Sequence, residues 1–166
     1  MILGIDPGTA TTGYGFLRES RDGSLEAVDF GVITTPPDLT MEKRLLILYQ
    51  ALKEKILFHQ PISGAVEKLF FQRNVTTAIS VGQARGVILL AMAEVNLPTA
   101  EYTPNEVKQA VAGYGGADKK QMQIMVKTLL NLESIPKPDD AADALGVAIC
   151  HYYHNRYNQL AEGSQE

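Results

Sequence analysis

Four carboxylates in this chain stand where packing alone does not want them. Asp6 closes the apolar run Ile2-Leu3-Gly4-Ile5. Glu67 closes a second short run, ISGAVE. Asp140 and Asp143 open the stretch DDAADALGVAIC, whose other residues are apolar and Ala-rich. Their i,i+3 spacing puts both on one face of a helix. Burying a lone carboxylate is costly unless its charge is compensated, and four gathered together repel one another unless a cation lies between them. Hard divalent ions prefer oxygen ligands, so the set points to a divalent ion such as Mg2+ or Mn2+. Each acid also has a plainer reading. Asp139 and Asp140 suit a helix cap and first turn. Asp6 precedes Pro7-Gly8 and suits a turn, and Glu67 can be a rim charge. Asp143 lies a turn further into the helix, where the cap account weakens.

For these acids to meet, two strands must be neighbours and the last helix must lie across them. The chain supplies such elements. MILGID is a buried strand. TGYGFLRES and SLEAVDFGVI flank Asp22-Gly23, a hairpin turn signal, giving a three-stranded antiparallel meander. Pro36-Pro37 ends it. Leu45, Leu48, Leu52 and Ile56 are at helical spacing within MEKRLLILYQALKEKILFHQ. ISGAVE follows as a strand, then a long helix from Val75 to about Asn96, then the strand PTAEYT. Thr103-Pro104-Asn105-Glu106 spells a capping box with Pro at the first helical position. Gly113–Gly116 interrupts, and a helix is expected from about Asp118 to Asn131. The last helix is expected from about Asp139 to Tyr157. Strands that give way to alternating strands and helices imply an α/β domain, one mixed sheet with helices on its faces. Residues 1–158 form that domain, and 159–166 are expected to be a disordered polar tail.

With 166 residues, 45% hydrophobic and 20% charged, the chain suits one globular domain. Its single cysteine, Cys150, excludes an intrachain disulfide and fits a reducing compartment, so a cytoplasmic location is expected. No apolar run is long enough to span a membrane. The net charge of −4 argues on its face against nucleic acid. The distribution argues otherwise: residues 68–127 carry 7 basic and 4 acidic side chains, while both flanking segments are acidic. Chance scatter would also produce such a pattern. Arg73, Lys108, Lys119 and Lys120 are the phosphate-contact candidates in that basic part. Solvated helix faces are the alternative for the lysines.

The stretches GIDPGTATTGYG, AVEKLFFQRN, SVGQARG, EYTPNEVKQAVAGYGGADKKQM and DDAADALGVAICHYY resemble, in order and over nearly the whole chain, the RuvC family of Holliday junction resolvases. That family lies within the ribonuclease H-like superfamily. The resemblance implies a ribonuclease H-like fold, with a five-stranded mixed sheet, three strands antiparallel and two parallel, flanked by helices on both faces. It implies a catalytic and metal-binding set of Asp6, Glu67, Asp140 and Asp143, the last two matching the family's D-A-A-D-A-L. An alternative register pairs Asp139 with Asp143 at i,i+4. Two Mg2+ ions per site are implied, with Mn2+ as a substitute. Such a pair clamps the attacking and leaving oxygens of a phosphodiester displacement. The implied activity is a structure-specific endodeoxyribonuclease that resolves four-way DNA junctions by paired nicks, in homologous recombination and DNA repair. A homodimer and a branch-migration helicase complex are the implied partners, with no membrane.

Phe70 and Phe71 follow Glu67 closely, and an aromatic beside the site can stack on an unpaired base or wedge a junction. Phe70 matches the family's loop aromatic; Lys68 departs from the amide expected there. A hydrophobic staple before the next helix is the other reading. Lys108 and Lys119 match lysines of the family pattern. Gly82 and Gly86 clear one face of the long helix for close packing. His151 and His154 are expected at a surface or interface and Cys150 in the core. Three rivals compete with this reading: an actin-like phosphotransferase, a junction-binding module without chemistry, and a nuclease acting on RNA–DNA hybrids. The first needs a second subdomain and phosphate loop, neither of which is found.

Overall fold

The computed structural model describes residues 1–68 and 75–162. The elements run β1 (Ile2–Asp6), β2 (Thr11–Glu19), β3 (Leu25–Thr34), α1 (Met41–His59), β4 (Ser63–Glu67), α2 (Val75–Glu94), β5 (Thr99–Tyr102), α3 (Pro104–Ala112), α4 (Lys119–Leu129) and α5 (Asp139–Glu162). The five strands form one sheet in the order β3-β2-β1-β4-β5. β1 and β3 pair antiparallel with β2, while β4 runs parallel to β1 and β5 parallel to β4. This is the expected mixed sheet.

Local chemistry explains the joints. The β2–β3 hairpin turns at Gly23, whose φ of 83° favours glycine. The Asp22 carboxylate accepts from the Ser24 amide and hydroxyl. After α1, Gln60 adopts the left-handed region with φ 49°, and its amide donates to the Ile56 carbonyl. α3 starts in the expected capping box: Thr103 Oγ1 accepts from the Glu106 amide, and the Glu106 carboxylate accepts from the Thr103 amide. α4 has a second such box, Asp118 with Gln121.

Strand alternation assigns the faces. Leu3, Ile5, Tyr14, Phe16, Ile33 and Val66 pack with α1 and α2. Ile2, Leu17 and Ala65 pack with α3, α4 and α5. In β1, Asp6 shares its face with Ile2 and Gly4; in β4, Glu67 shares its face with Ala65. Both acids therefore point to the α5 side. β1 is covered on both faces, and its apolar residues Leu3 and Ile5 are fully buried.

α5 lies unusually close to the sheet, and glycines make this possible. A Cβ on Gly4 would sit 2.5 Å from the Ala148 amide nitrogen and 2.7 Å from the Ala148 Cβ. A Cβ on Gly13 would collide with the Asp140 carbonyl oxygen. The alanines of α5 complete the fit: Ala141, Ala144 and Ala148 are fully buried.

Two expectations change. α5 continues to Glu162, so residues 159–162, expected in a disordered tail, are helical. The reason is the absence of a breaker: polar residues sustain a helix, and Gly163 is the first helix-stopping residue after Tyr157. Residues 163–166 lie outside the described residues. His151, expected at a surface or interface, is buried within the chain. Its Nδ1 lies 3.0 Å from the Tyr102 hydroxyl, and its Nε2 lies 3.0 Å from Ser63 Oγ. Burial pushes its pKa down to about 4, so it is neutral at physiological pH. His154 is exposed and stacks on Tyr102, with ring centroids 4.8 Å apart. Cys150 is buried, as expected. No helix among the described residues is long and apolar enough to cross a membrane.

Candidate active site

Three elements bring four acids to one edge of the sheet. The parallel register sets Ile5 of β1 against Val66 of β4, so the next residues, Asp6 and Glu67, sit side by side. Neighbouring strands are about 4.8 Å apart. The first turns of α5 cross the ends of β1 and β2, because Gly13 admits the Asp140 backbone. Asp140 and Asp143 face the same edge.

The acids feel one another strongly. Burial raises Asp6 to about 8, and the charges of Glu67, Asp143 and Asp140 add to the rise; Lys119 pulls against it. Burial also raises Glu67 to about 7, with Asp143 adding and Lys108 opposing. Asp143 is raised by burial, and Lys119 offsets part of that. Desolvation and like charge both disfavour ionised carboxylates. Such a set lacks positive charge, which is what a hard oxygen-ligated cation supplies. Among the described residues no three acids, histidines or cysteines converge closely enough to ligate one ion in this conformation.

Asp139 behaves differently. It is exposed, and its Oδ1 accepts from Gln123 Nε2 at 2.9 Å. Its Oδ2 lies 3.0 Å from Lys119 Nζ. The Lys119 hydrogen bond holds its carboxyl below the usual range, and the Gln123 bond adds to this. Asp139 thus engages α4, whereas Asp140 is among the charges felt by Asp6. The contact with Gln123 was not foreseen from the sequence; its signal is the i,i+4 pair Lys119 and Gln123 on α4.

Lys108 and Lys119 join the acids. Glu67, Asp143, Lys108 and Lys119 line one cleft of about 220 Å3, with Pro104, Val107 and Met122 among its walls. Lys119 Nζ lies 3.6 Å from Asp143 Oδ2. Lys120 is exposed beside Lys119 but is not part of the cleft lining. Phe70, Phe71 and Arg73 lie outside the described residues. Larger grooves exist, such as one of about 450 Å3 beside Met1, Arg18 and Tyr152. It opens at the opposite end of β1, away from the acids.

The comparisons agree with this geometry. A family model described as crossover junction endodeoxyribonuclease RuvC matches residues 2–151. A crossover junction endodeoxyribonuclease RuvC of Desulfitobacterium hafniense is 60% identical over 151 residues, covering 91% of each chain. Among solved structures, Thermus thermophilus RuvC superposes with a TM-score of 0.88 at 33% identity, covering 95% of this chain and 96% of that one. The same protein in complex with Holliday junction substrate superposes with a TM-score of 0.86 at 31% identity, covering 94% and 95%. An acidic edge built by β1, β4 and α5, and a match along nearly the whole length, place this chain in the RuvC family of crossover junction endodeoxyribonucleases.

Proposed function

We propose that this chain resolves four-way DNA junctions by paired nicks, with Asp6, Glu67, Asp140 and Asp143 as its metal-holding catalytic set. The carrying observation is the crowding of these acids at one sheet edge, where two of them have pKa values raised to about 8 and about 7. Family members depend on divalent metal, and the acid set fits Mg2+, with Mn2+ as a substitute. When bound, two such ions would supply a water-derived nucleophile near neutral pH and neutralise charge on the leaving oxygen. The residues do the rest. Asp6 and Glu67 give up protons that burial otherwise retains. Asp140 and Asp143 reach the same edge from α5. Lys108 and Lys119, lining the same cleft, are the cations offered to phosphate oxygens there. Lys120, Arg73 and the aromatics Phe70 and Phe71 are further DNA contacts proposed from the family resemblance.

Two nicks in one junction call for two sites, and a two-fold dimer supplies them. The exposed face of α2 supports this: Ile79 and Leu90 are 61% and 60% exposed, with the exposed glycines Gly82 and Gly86 between them. A branch-migration helicase complex and action in the cytoplasm follow from the family resemblance, with residues 1–158 acting as one nuclease domain.

The test is cleavage of a synthetic four-way junction against linear duplex and RNA–DNA hybrid, with and without Mg2+. Symmetric metal-dependent nicks in the junction alone are expected. Asp6→Asn should abolish them and leave junction binding intact. Wild-type nicking by that variant, or preferential cutting of the hybrid, would overturn the proposal.

A further inference from the structure

The contacts between α4 and α5 contain a feature that cation binding alone does not require. Lys119 and Gln123 are i,i+4 on α4; Asp139 and Asp143 are i,i+4 on α5. Such pairs share a helix face, and the two faces meet. Gln123 Nε2 donates to Asp139 Oδ1 at 2.9 Å. Lys119 Nζ stands 3.0 Å from Asp139 Oδ2 and 3.6 Å from Asp143 Oδ2. The Asp118 capping box fixes the start of α4 and thus the base of the Lys119 side chain.

We propose that Asp139 is a positioning residue that holds the Lys119 ammonium beside Asp143 and keeps it when a divalent cation claims the Asp143 carboxylate. The inference rests on Asp143 being a ligand, as proposed above. An ammonium and a divalent cation cannot share one carboxylate oxygen without strong repulsion. In the ion-free protein Lys119 bridges the two acids and offsets part of the site's charge. A cation entering the site must displace it from Asp143. Asp139 stands one helical turn away, with its other oxygen engaged by Gln123. It offers the ammonium a second anchor, so the displacement costs little. Lys119 then remains at the rim, poised for a phosphate. Without Asp139 the ammonium has Asp143 as its remaining carboxylate contact and competes with the cation.

The test is Mn2+ binding to the full chain without DNA, with free ion read by electron paramagnetic resonance. Asp139→Asn should weaken binding by about two- to fivefold, the range of an exposed ion pair. Asp139→Glu, which keeps the charge, should bind as wild type does. Lys119→Gln should tighten binding, and Asp139→Asn added to Lys119→Gln should have no further effect. That last result separates the handover from plain electrostatics, in which loss of the Asp139 charge would weaken binding equally with or without Lys119. Equal weakening in both backgrounds overturns the inference and leaves the ligand assignment standing. Unchanged Mn2+ binding by Asp143→Asn overturns both. Asp139 is exposed, and circular dichroism of each variant checks that the fold is kept.

Discussion

Replacing Asp6 by Asn should stabilise the ion-free protein, and the gain should grow with pH. The folded chain holds the Asp6 proton up to about pH 8, against an ordinary value of 3.8. The unfolded chain releases it near pH 4. Between these limits the folded state binds one more proton than the unfolded state. Stability from this group is therefore fully present below about pH 4 and is lost as pH rises through 8. The loss is at most ~1.4 kcal/mol per pH unit. Over the four-unit rise it reaches a ceiling of ~6 kcal/mol, and solvent screening lowers it to about 3 kcal/mol. Asn is uncharged and of similar shape, so it removes the term.

The assay is thermal unfolding in EDTA at pH 5, 6, 7 and 8. At pH 8 the variant should melt roughly 6–12 °C above wild type, taking about 2–4 °C per kcal/mol for a chain of this size. At pH 5 most of the gain should be gone. Added Mg2+ should close the gap at pH 8 by stabilising the ionised wild-type site. A gain that does not vary with pH, or a loss at pH 8, would refute the premise that burial and the neighbouring carboxylates hold the Asp6 proton.

Gly13→Ala should cost about 1–3 kcal/mol, because the new Cβ collides with the Asp140 carbonyl. Junction cleavage should fall even at temperatures where the variant is fully folded, since the first turn of α5 must lift; unchanged cleavage would refute the close-approach argument. Gly82→Ala is the contrast: its Cβ meets nothing within 4 Å in the single chain. Sedimentation should show a weakened dimer with unchanged or raised monomer stability; an unaltered dimer would count against α2 as the interface. His151→Gln should be less stable than wild type at pH 8, with the gap closing on acidification. His151 has its pKa lowered to about 4, so its contribution is present above about pH 6.5 and lost as pH falls through 4. Its full worth is ~3 kcal/mol. Urea titrations from pH 8 to pH 4 check this, and a constant gap would sink it.

Much of the fold is legible because apolar periodicity and turn chemistry agree. The capping box at Thr103, the turn at Gly23 and the leucine spacing of α1 each set an element without tertiary help. Asp6 and Glu67 are legible for the same reason: each ends an apolar run, and a parallel register brings run-ends together. What local pattern does not carry is which helix face meets which neighbour. Asp139 and Asp140 both fit as partners of Asp143 by spacing. What separates them is α4, whose Lys119 and Gln123 claim Asp139. The burial of His151 is not legible, because a titratable side chain in an apolar stretch gives no hint of Tyr102 and Ser63, 49 and 88 residues away, that satisfy it. Nothing in the local sequence marks Gly4 and Gly13 as points of close approach. Their meaning depends on the Ala-rich face of α5, more than 120 residues away.

The net charge of −4 is the feature most at odds with a DNA-cutting enzyme, and the site explains it. Asp6, Glu67, Asp140 and Asp143, fully ionised, carry four negative charges, equal to the whole formal excess. Two divalent cations carry four positive charges. A loaded chain would therefore be close to neutral, and Lys108 and Lys119 at the cleft would meet phosphate with less opposition from the acids. An empty chain would repel phosphate at the edge proposed for cleavage, unless Asp6 and Glu67 keep their protons. Burial keeps the Asp6 proton at neutral pH and leaves Glu67, at about 7, partly protonated there. Proton retention on Asp6 and Glu67 and ion loading then become alternative ways to lower the negative charge at the sheet edge. Junction binding without metal is compatible with this site for that reason, and it should weaken above pH 8, where the acids ionise without a cation to balance them.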